Sequence, residues 1–440
     1  MKTSQLIILF LSCSFIFNSG CQKYNNLIEP GKPDNIKIPS INANSYTSIV
    51  ATRKDASAEI SLTYFDPEYF YKERNYTVYP DHYEVYLSKN SDENWEMIMS
   101  IDTSYINRSF IISGLTNNEL YYVYLKEIGK TNGETKSSNV ALFIPSAFKP
   151  SYNLILTNYY NNDLYSFDWN GSNNRIVYAT TYYEFRPGYA AASVFIPLFG
   201  IEPELVDTFC WFPVFNNDGT KISYSSDKGE VFDGKLMPEH IAVYDVNTKA
   251  SVRLTSGYSV NKYPAWSPVS PLIAFSTSGK SDEDLRIALL NPETHTYKVL
   301  QTGSDINQDI IKYSQERPSW SSDGEYIYYT HRYYTNDNMN PGYYDIYRIR
   351  SNNGSPEPVF NSQRIECTPA VSPDNSKLAF LTDLNGSLQI WVYDFSDNKF
   401  HQPFDTDVYD FSEIWSQIKW KDSNTILFAN RYGLYSISVE

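Results

Sequence analysis

Histidine and cysteine are scarce in this chain of 440 residues, with 5 and 4 copies respectively. The histidines form no close pair of the His-x-x-x-His kind, and no Gly-x-Ser-x-Gly motif marks a hydrolase nucleophile. The acidic run at 281–284 lacks the spacing of an EF-hand loop. We therefore predict no catalytic residue, no metal site and no cofactor.

Positive charge is also in short supply. Lys and Arg total 36 against 51 Asp and Glu, which leaves a net charge of −15. The mean field of such a chain repels phosphate backbones and anionic lipid surfaces. Nucleic acid is therefore excluded as a partner.

Aromatic residues are abundant, at 16% of the chain with 39 Tyr and 24 Phe. Tyr and Phe favour half-buried pleated surfaces, so the composition indicates an all-β protein. The hydrophobic fraction of 42% is that of a folded globular chain, and the length allows two domains.

The N-terminus carries a targeting signal in residues 1–21. Lys2 precedes the apolar run 6–17, which is too short to span a bilayer. Ser19, Gly20 and Cys21 resemble the box of bacterial lipoproteins, although Asn18 stands where an aliphatic residue is usual. The resemblance implies lipidation of Cys21, attachment to the membrane through that lipid, and an outer membrane lipoprotein that is periplasm-facing or at the cell surface. The alternative is a plain signal peptide in which Cys21 is incidental.

A polar tether, 22–33, leads into a first folded unit at 34–146. Short alternating segments at sandwich spacing predict strands at 58–64, 82–88, 95–101, 109–113, 121–128 and 139–144. The string from Gly114 to Tyr121 resembles the fibronectin type III pattern, and the chain as a whole resembles an envelope lipoprotein of the Bacteroidetes type. That likeness implies a β-sandwich in which the Tyr121 hydroxyl is tied to upstream backbone. Its predicted role is a spacer or a docking module.

The remainder, 150–440, is organised by a repeat. The string RPSWSSDGEYIYYT at 317–330 predicts a hairpin with an Asp-Gly turn. Related strings occur at 212–226, 263–278, 368–382 and 416–430, so that the position of Trp320 recurs about every 50 residues. Third strands follow at 240–246, 285–291, 344–350, 388–394 and 433–439. Four strands per repeat of this length predict propeller blades.

The Pro-x-Trp-Ser-Pro-Asp-Gly-like hairpin resembles the TolB-type propeller and its PD-type repeats. With part of a further copy at 153–178, the resemblance implies a six-bladed propeller closed by a strand from about 152–158. The repeated Trp and Pro are interpreted as scaffold. Cys210 and Cys367 precede blades three positions apart, hence on opposite sides of the ring, and a disulfide needs Cα atoms within about 7 Å. We predict two free thiols.

The rim opposite the Asp-Gly turns receives the long insertions, at 227–239, 303–316, 331–343 and 404–413. Binding usually lies on such loops. We predict ligand contacts on the loop 331–344 and at the channel mouth, from the following residues: Arg332, Tyr333, Tyr334, Asn336, Asp337, Tyr343, Tyr344, Glu316, Arg317, Arg364 and Glu366.

These features favour a non-enzymatic lipoprotein of the cell envelope that acts as a binding or scaffold module. The partner is an envelope protein or a glycan. Aromatic rings beside amides and carboxylates suit sugars, so a glycan-binding lipoprotein is the first alternative. The second is a metal-dependent polysaccharide lyase, because some propeller lyases hold manganese on channel histidines; here His240 and His331 lead into inserted segments.

Overall fold

The computed structural model of the protein describes residues 47–64, 80–90, 94–102, 109–129, 135–157, 164–172, 174–180, 205–227, 231–232, 235–236, 239–278, 285–300, 312–334, 341–362, 364–404, 417–430 and 433–439. Within these ranges every regular element is a β-strand, as the composition indicated. No helix of this part of the chain is long and apolar enough to cross a membrane. Cys21, the signal segment and the tether lie outside the described residues.

The first unit is a sandwich of two antiparallel sheets. One has the order β1-β2-β5; the other has the order β4-β3-β6-β7, with β8 also pairing with β6. Their facing side chains form one core, in which Ile60, Tyr83 and Leu125 are buried. The strands are β1 Thr47–Lys54, β2 Ser57–Tyr64, β3 His82–Lys89, β4 Glu96–Asp102, β5 Ser109–Ser113, β6 Tyr121–Ile128, β7 Thr135–Ser137 and β8 Ala141–Phe143.

The six strands predicted for this unit are present, the last of them as the shorter β8. Strands β1 and β7 were not predicted. The tie expected at Tyr121 is confirmed, because the Thr116 N–H donates to the Tyr121 hydroxyl at 3.0 Å. The ring itself stacks on Phe143 in the core, with 5.7 Å between centroids.

The second unit contains the predicted hairpins and third strands. The strands are β9 Tyr152–Thr157, β10 Leu164–Asn170, β11 Arg175–Thr180, β12 Cys210–Phe215, β13 Lys221–Ser226, β14 Val231–Phe232, β15 Lys235–Leu236, β16 His240–Asp245, β17 Ala250–Arg253, β18 Val260–Trp266, β19 Ile273–Ser278, β20 Arg286–Asn291, β21 Thr296–Val299, β22 Lys312–Trp320, β23 Tyr326–Tyr334, β24 Pro341–Arg350, β25 Glu357–Phe360, β26 Glu366–Val371, β27 Lys377–Thr382, β28 Gln389–Asp394, β29 Lys399–His401, β30 Ile418–Asp422, β31 Thr425–Asn430 and β32 Gly433–Ser438.

Six sheets follow one another along this unit, besides the small hairpin β14-β15. We number them sheet 1 (β10-β11), sheet 2 (β12-β13-β16-β17), sheet 3 (β18 to β21), sheet 4 (β22 to β25), sheet 5 (β26 to β29) and sheet 6 (β30-β31-β32-β9). The closure predicted for 152–158 is confirmed, since β9 is the fourth strand of the last sheet.

The sheets form a closed ring. Among the described residues, six buried clusters each join one pair of neighbouring sheets. For sheets 6 and 1, Leu427 and Leu434 pack with Phe167 and Tyr178. Burial of apolar area along all six seams is therefore the main force that holds the ring together.

The repeated tryptophans are part of this scaffold, as interpreted from the sequence. Trp320 is buried and its indole N–H donates to the Ala265 carbonyl of sheet 3, at 2.9 Å. Trp420 makes the same bond to Ala370 of sheet 5, at 2.8 Å. The prediction of two free thiols is also confirmed: Cys210 and Cys367 are both buried, and neither takes part in a disulfide.

The sandwich is fixed to the ring at sheet 5. The loop between β27 and β28 enters between β1 and β8: Ala51 N–H donates to Asn385 O at 2.9 Å, and Leu142 N–H donates to Leu384 O at 2.7 Å. Gly386, with φ of +95°, lies where a Cβ would overlap the Ile49 carbonyl oxygen. The first unit is therefore a docked module, and its interface is on the same rim as the inserted segments.

A buried arginine completes this interface. Arg53 of β1 is 1% exposed. Its guanidinium donates to the carbonyls of Phe404 and Pro403 on the ring, both at 3.0 Å, and to Phe148 O at 3.2 Å. A buried charged group is tolerated only when its donors are hydrogen-bonded, so removal of these partners would destabilise the folded state.

Candidate functional site

The two rims of the ring differ in construction. One carries the tight turns between first and second strands, such as the turn at Gly324, which has φ of +71°. The other carries the sandwich and the predicted insertions. Sheet 4 is the longest sheet at that second rim, because β22, β23 and β24 have 9, 9 and 10 residues.

The prediction of a loop over 331–344 is wrong at both ends. His331 to Tyr334 continue β23, and 341–344 begin β24, with Arg332 paired to Tyr344. Residues 312–316, predicted as the end of another insertion, belong to β22. Aromatic and long side chains sustain a pleated ladder, which is why the strands run on past the repeat. Residues 335–340, including Asn336 and Asp337, lie outside the described residues.

First strands carry a β-bulge at one repeated position. The residue that precedes the repeated Pro has positive φ in four sheets: 53° at Phe212, 57° at Tyr263, 56° at Arg317 and 56° at Thr368. The strand register shifts there in every case. Positive φ is strained for such side chains, and bulges redirect a side chain from the sheet.

The redirected side chains meet at the centre of the ring. The Arg317 guanidinium carbon lies 5.5 Å from the centroid of Phe212 and 5.3 Å from that of Tyr263. These two rings contact each other edge to face, with centroids 4.5 Å apart. Arg317 belongs to sheet 4 and Phe212 to sheet 2, which are not neighbours, so their contact requires the first strands to converge at the centre of the ring. Arg317 thus lies at the centre of the ring, and its role as a ligand contact stays a prediction.

A row of polar side chains crosses four sheets just above this point, on the side of the insertion rim. Directly paired strand residues project from the same face, so each sheet contributes one set of three. We call these twelve residues the polar layer. All except the half-buried Arg286 are buried. They are Cys210, Ser226 and His240 in sheet 2, Asn261, Thr277 and Arg286 in sheet 3, Gln315, His331 and Asp345 in sheet 4, and Glu366, Thr382 and Gln389 in sheet 5.

The polar layer is continuous across the seams between sheets. At the seam of sheets 2 and 3, the Asn261 N–H donates to Glu239 O at 2.9 Å. The Asn261 amide nitrogen lies 3.5 Å from Nδ1 of His240. At the next seam, the Gln315 N–H donates to Leu285 O at 3.0 Å, beside Arg286.

The seam between sheets 4 and 5 follows the same plan with different chemistry. Tyr344 and Ile365 form a parallel bridge, so the residues that follow them, Asp345 and Glu366, are neighbours on one face. They are 6% and 2% exposed. The layer therefore joins two acids here, where the preceding seams join His with Asn and Arg with Gln.

Burial dominates the electrostatics of this acid pair. Desolvation raises the pKa of Asp345 well above its usual value, while a hydrogen bond from Tyr333 acts in the opposite direction. Desolvation likewise raises the pKa of Glu366, and the charge of Asp345 raises it further. Two carboxylates in one buried site disfavour full ionisation of both.

His331, directly opposite Asp345 in the ladder, remains neutral at physiological pH. Burial, together with the charge of Arg286, lowers the pKa of His331 to about 3. It therefore adds no positive charge to the acid pair. His240, the other histidine of the layer, lies in sheet 2.

The remaining predicted contact residues are dispersed around the layer. Arg332 lies 3.7 Å from the carboxylate of Glu316, and its guanidinium carbon is 5.4 Å from the centroid of Tyr344. The Tyr333 hydroxyl is 3.1 Å from that of Tyr347. Tyr334 and Tyr343 lie on β23 and β24, near the ends that face each other.

Arg364 is directed to the interface with the sandwich. It donates to the Val140 carbonyl and lies 3.9 Å from the Asp383 carboxylate. Sequence reasoning did not identify Asp345 or Thr382. These two residues can be recognised only from their positions in the ladders. Thr382 pairs with Glu366, and Asp345 lies in the same row as Gln315. Glu366 and Gln315 each lie five residues before the repeated aromatic position, a relation that is visible only when the strands are in register.

A search of the described residues for groups of three metal-ligating side chains gives Asp394, Asp397 and His401, with ligand atoms within 4.8 Å of one another. Asp394 accepts hydrogen bonds from Ser396, and Asp397 accepts one from the Lys399 N–H. These bonds are ordinary turn chemistry on an outer corner of sheet 5.

Comparison with known proteins gives one sequence relative and several structural ones. No protein-family model matches the chain. It is 30% identical over 142 residues to a protein TolB homolog of Chlorobium luteolum; the match covers 32% of this chain and 28% of that protein. The chain thus aligns with little more than a quarter of its relative.

Two solved structures resemble the fold. A putative TolB from Agrobacterium tumefaciens is 14% identical, with a TM-score of 0.43 over 63% of this chain and 90% of that one. An oligogalacturonate lyase in complex with manganese is 14% identical, with a TM-score of 0.43 over 73% of this chain and 86% of that one. At these sequence identities and TM-scores, neither structure is evidence about function.

Proposed function

We propose that the protein is a non-enzymatic lipoprotein of the cell envelope that binds a partner through the insertion rim of a TolB-type, six-bladed propeller. On this proposal each of the six sheets is one blade, and the first unit is a fibronectin type III domain. Cys21 carries the lipid that anchors the chain to the outer membrane. The 142-residue likeness to a TolB homologue supports the propeller type.

The observation that carries the binding role is the length of sheet 4 at the insertion rim. Its strands bring Arg332 and Tyr333 to that rim, where both side chains are half-buried. The cationic Arg332 lies against the ring of Tyr344. Arg and Tyr are the residue types enriched in protein–protein hot spots. The sandwich lies on the neighbouring sheet, so both units flank the same place.

Site-specific photo-crosslinking tests this role. A photo-reactive residue in place of Tyr333 is expected to give a discrete crosslinked product in the envelope. The matched control is Tyr297, which is 43% exposed on the outer strand of sheet 3. Equal products from both positions, or none from position 333, would contradict binding at this rim.

Carbohydrate binding is the second candidate, because the strand ends at this rim carry the half-buried ring of Tyr333, while the cationic Arg332 lies against the ring of Tyr344. A sugar stacks its C–H face on such rings while its hydroxyls accept or donate hydrogen bonds. A glycan array with the purified full chain tests it. We expect any signal to fall at least tenfold in Tyr333→Ala and to persist in Tyr297→Ala. An array without signal removes this candidate.

A further inference from the structure

The seam between sheets 4 and 5 has an unusual composition when it is compared with the equivalent seams of the same ring. His240 with Asn261, and Arg286 with Gln315, are pairs without negative charge. Asp345 and Glu366 occupy the same two positions, and both are carboxylic acids. Because the backbone plan is shared, the difference comes from the side chains alone.

Two oxygen atoms at this seam are buried without a hydrogen-bond partner. They are Oδ1 of Asp345 and Oγ1 of Thr382. Thr382 is fully buried and directly opposite Glu366 in the ladder, so it shares its face. Buried polar atoms in native proteins are satisfied by protein, water or an ion. The Glu366 carboxylate accepts hydrogen bonds from Ser362, the N–H at 3.3 Å and the hydroxyl.

The arginines near this rim have other partners. Arg332 lies against Glu316, and Arg364 lies against Asp383 and the Val140 carbonyl. Among the described residues, neither Asp345 nor Glu366 forms an ion pair with an arginine or a lysine.

We propose that Asp345, Glu366 and Thr382 form a site for a divalent cation that prefers oxygen ligands, such as calcium, magnesium or manganese. Carboxylates and hydroxyls are the ligands of such hard ions. A cation at this seam neutralises both acids and satisfies the two orphan oxygens. It also links sheets 4 and 5 directly beneath the sandwich. The proposal does not depend on the proposed function.

The test uses the full chain after treatment with EDTA. Addition of millimolar CaCl2, MgCl2 or MnCl2 is expected to raise the thermal midpoint of the wild type by about 3 °C or more for at least one ion. Terbium, a calcium substitute excited through nearby tyrosines, is expected to give sensitised luminescence that the same ion displaces.

Three substitutions assign the effect to the seam. Asp345→Asn and Glu366→Gln are expected to abolish the thermal shift, and Thr382→Val to weaken cation binding about tenfold. Asp345→Asn keeps the side-chain shape and removes one of two repelling charges. The ion-free variant is therefore expected to melt at or above the wild-type temperature, which separates loss of binding from loss of folding.

The control is Asp394→Asn, in the outer corner of sheet 5, which is expected to retain the shift. No shift with any of the three ions overturns the proposal. So does a shift that survives Asp345→Asn but disappears in Asp394→Asn. A midpoint that depends on pH and on no cation means that the acids share a proton instead, and likewise overturns it.

Discussion

The two rims of the ring use polar side chains in opposite ways. The hairpin rim is the one that carries the tight turns between first and second strands, and there neighbouring turns are hydrogen-bonded. The side-chain oxygen Oδ1 of Asn375 accepts from the Ser322 N–H at 2.6 Å, and the side-chain amide of Asn375 donates to the Asp323 carboxylate at 2.9 Å. At the insertion rim, polar atoms of Asp345 and Thr382 are buried without partners. The comparison teaches that these two turns of the hairpin rim bond to each other, whereas Asp345 and Thr382 at the insertion rim retain unused bonding capacity.

The largest effect on stability is expected at Arg53, where the polar groups of the insertion rim are fully hydrogen-bonded. Arg53→Met removes the guanidinium that donates to three carbonyls, two of which are buried, so we expect a loss of about 3 to 5 kcal/mol in the free energy of unfolding. The control Arg350→Met removes an exposed arginine paired with Glu325 and should cost less than about 0.5 kcal/mol. Urea unfolding measures both. Equal costs would mean that the sandwich contributes no stability through this contact.

An intermediate effect is expected from the acid pair, measured without metal. An acid whose pKa is higher in the folded state than in the unfolded state contributes its full stabilisation at pH values below its unfolded-state pKa, near 4. This contribution is lost as the pH rises through the folded-state pKa. The wild type should therefore lose stability relative to Asp345→Asn as pH rises from 5 to 9, by at most about 1.4 kcal/mol per unit. His331 is common to both proteins and cancels. Parallel urea midpoints over this range would contradict the burial effect.

The smallest effect is expected at the hairpin rim. Asn375 has φ of 60°, so Asn375→Gly loses only its hydrogen bonds, at about 1 kcal/mol, while Asn375→Ala adds strain of about 1 kcal/mol more. Thermal unfolding of the two variants measures the difference. If the two variants lose the same free energy of unfolding, the backbone of the turn adapts to alanine, and the hairpin rim is less rigid than described.

Local chemistry made most of the ring predictable. A tight polar turn between two short apolar strands, such as the Asp-Gly turn at 323–324, specifies a hairpin within 14 residues, and the recurrence of related hairpins indicates the ring without any long-range information. The third strands at His240 and Gln389 follow the same period. Strand β1 was missed although it pairs along its whole length with the adjacent strand β2. Its further hydrogen bond from Ala51 to the distant Asn385 is one that no local pattern indicates.

The candidate site was harder to predict, because its members share a position and not a residue type. Cys210, Asn261, Gln315 and Glu366 are equivalent in space, yet no motif relates them. The repeat does not point to these four positions, because it is recognised mainly by its structural tryptophans. Asp345 becomes notable only when it is placed beside Glu366 by the bridge between Tyr344 and Ile365.

The closure of sheet 6 by β9 has a consequence for how the molecule forms. The contact between Ser151 N–H and the Ser438 hydroxyl, at 2.7 Å, joins residues 287 positions apart. Such a contact costs much chain entropy and forms late. The sandwich needs only early residues for its own core, so during synthesis it can fold first, whereas the ring stays open until the strand β32 has emerged. A chain crossing a membrane by its N-terminus would therefore complete its ring only on the far side.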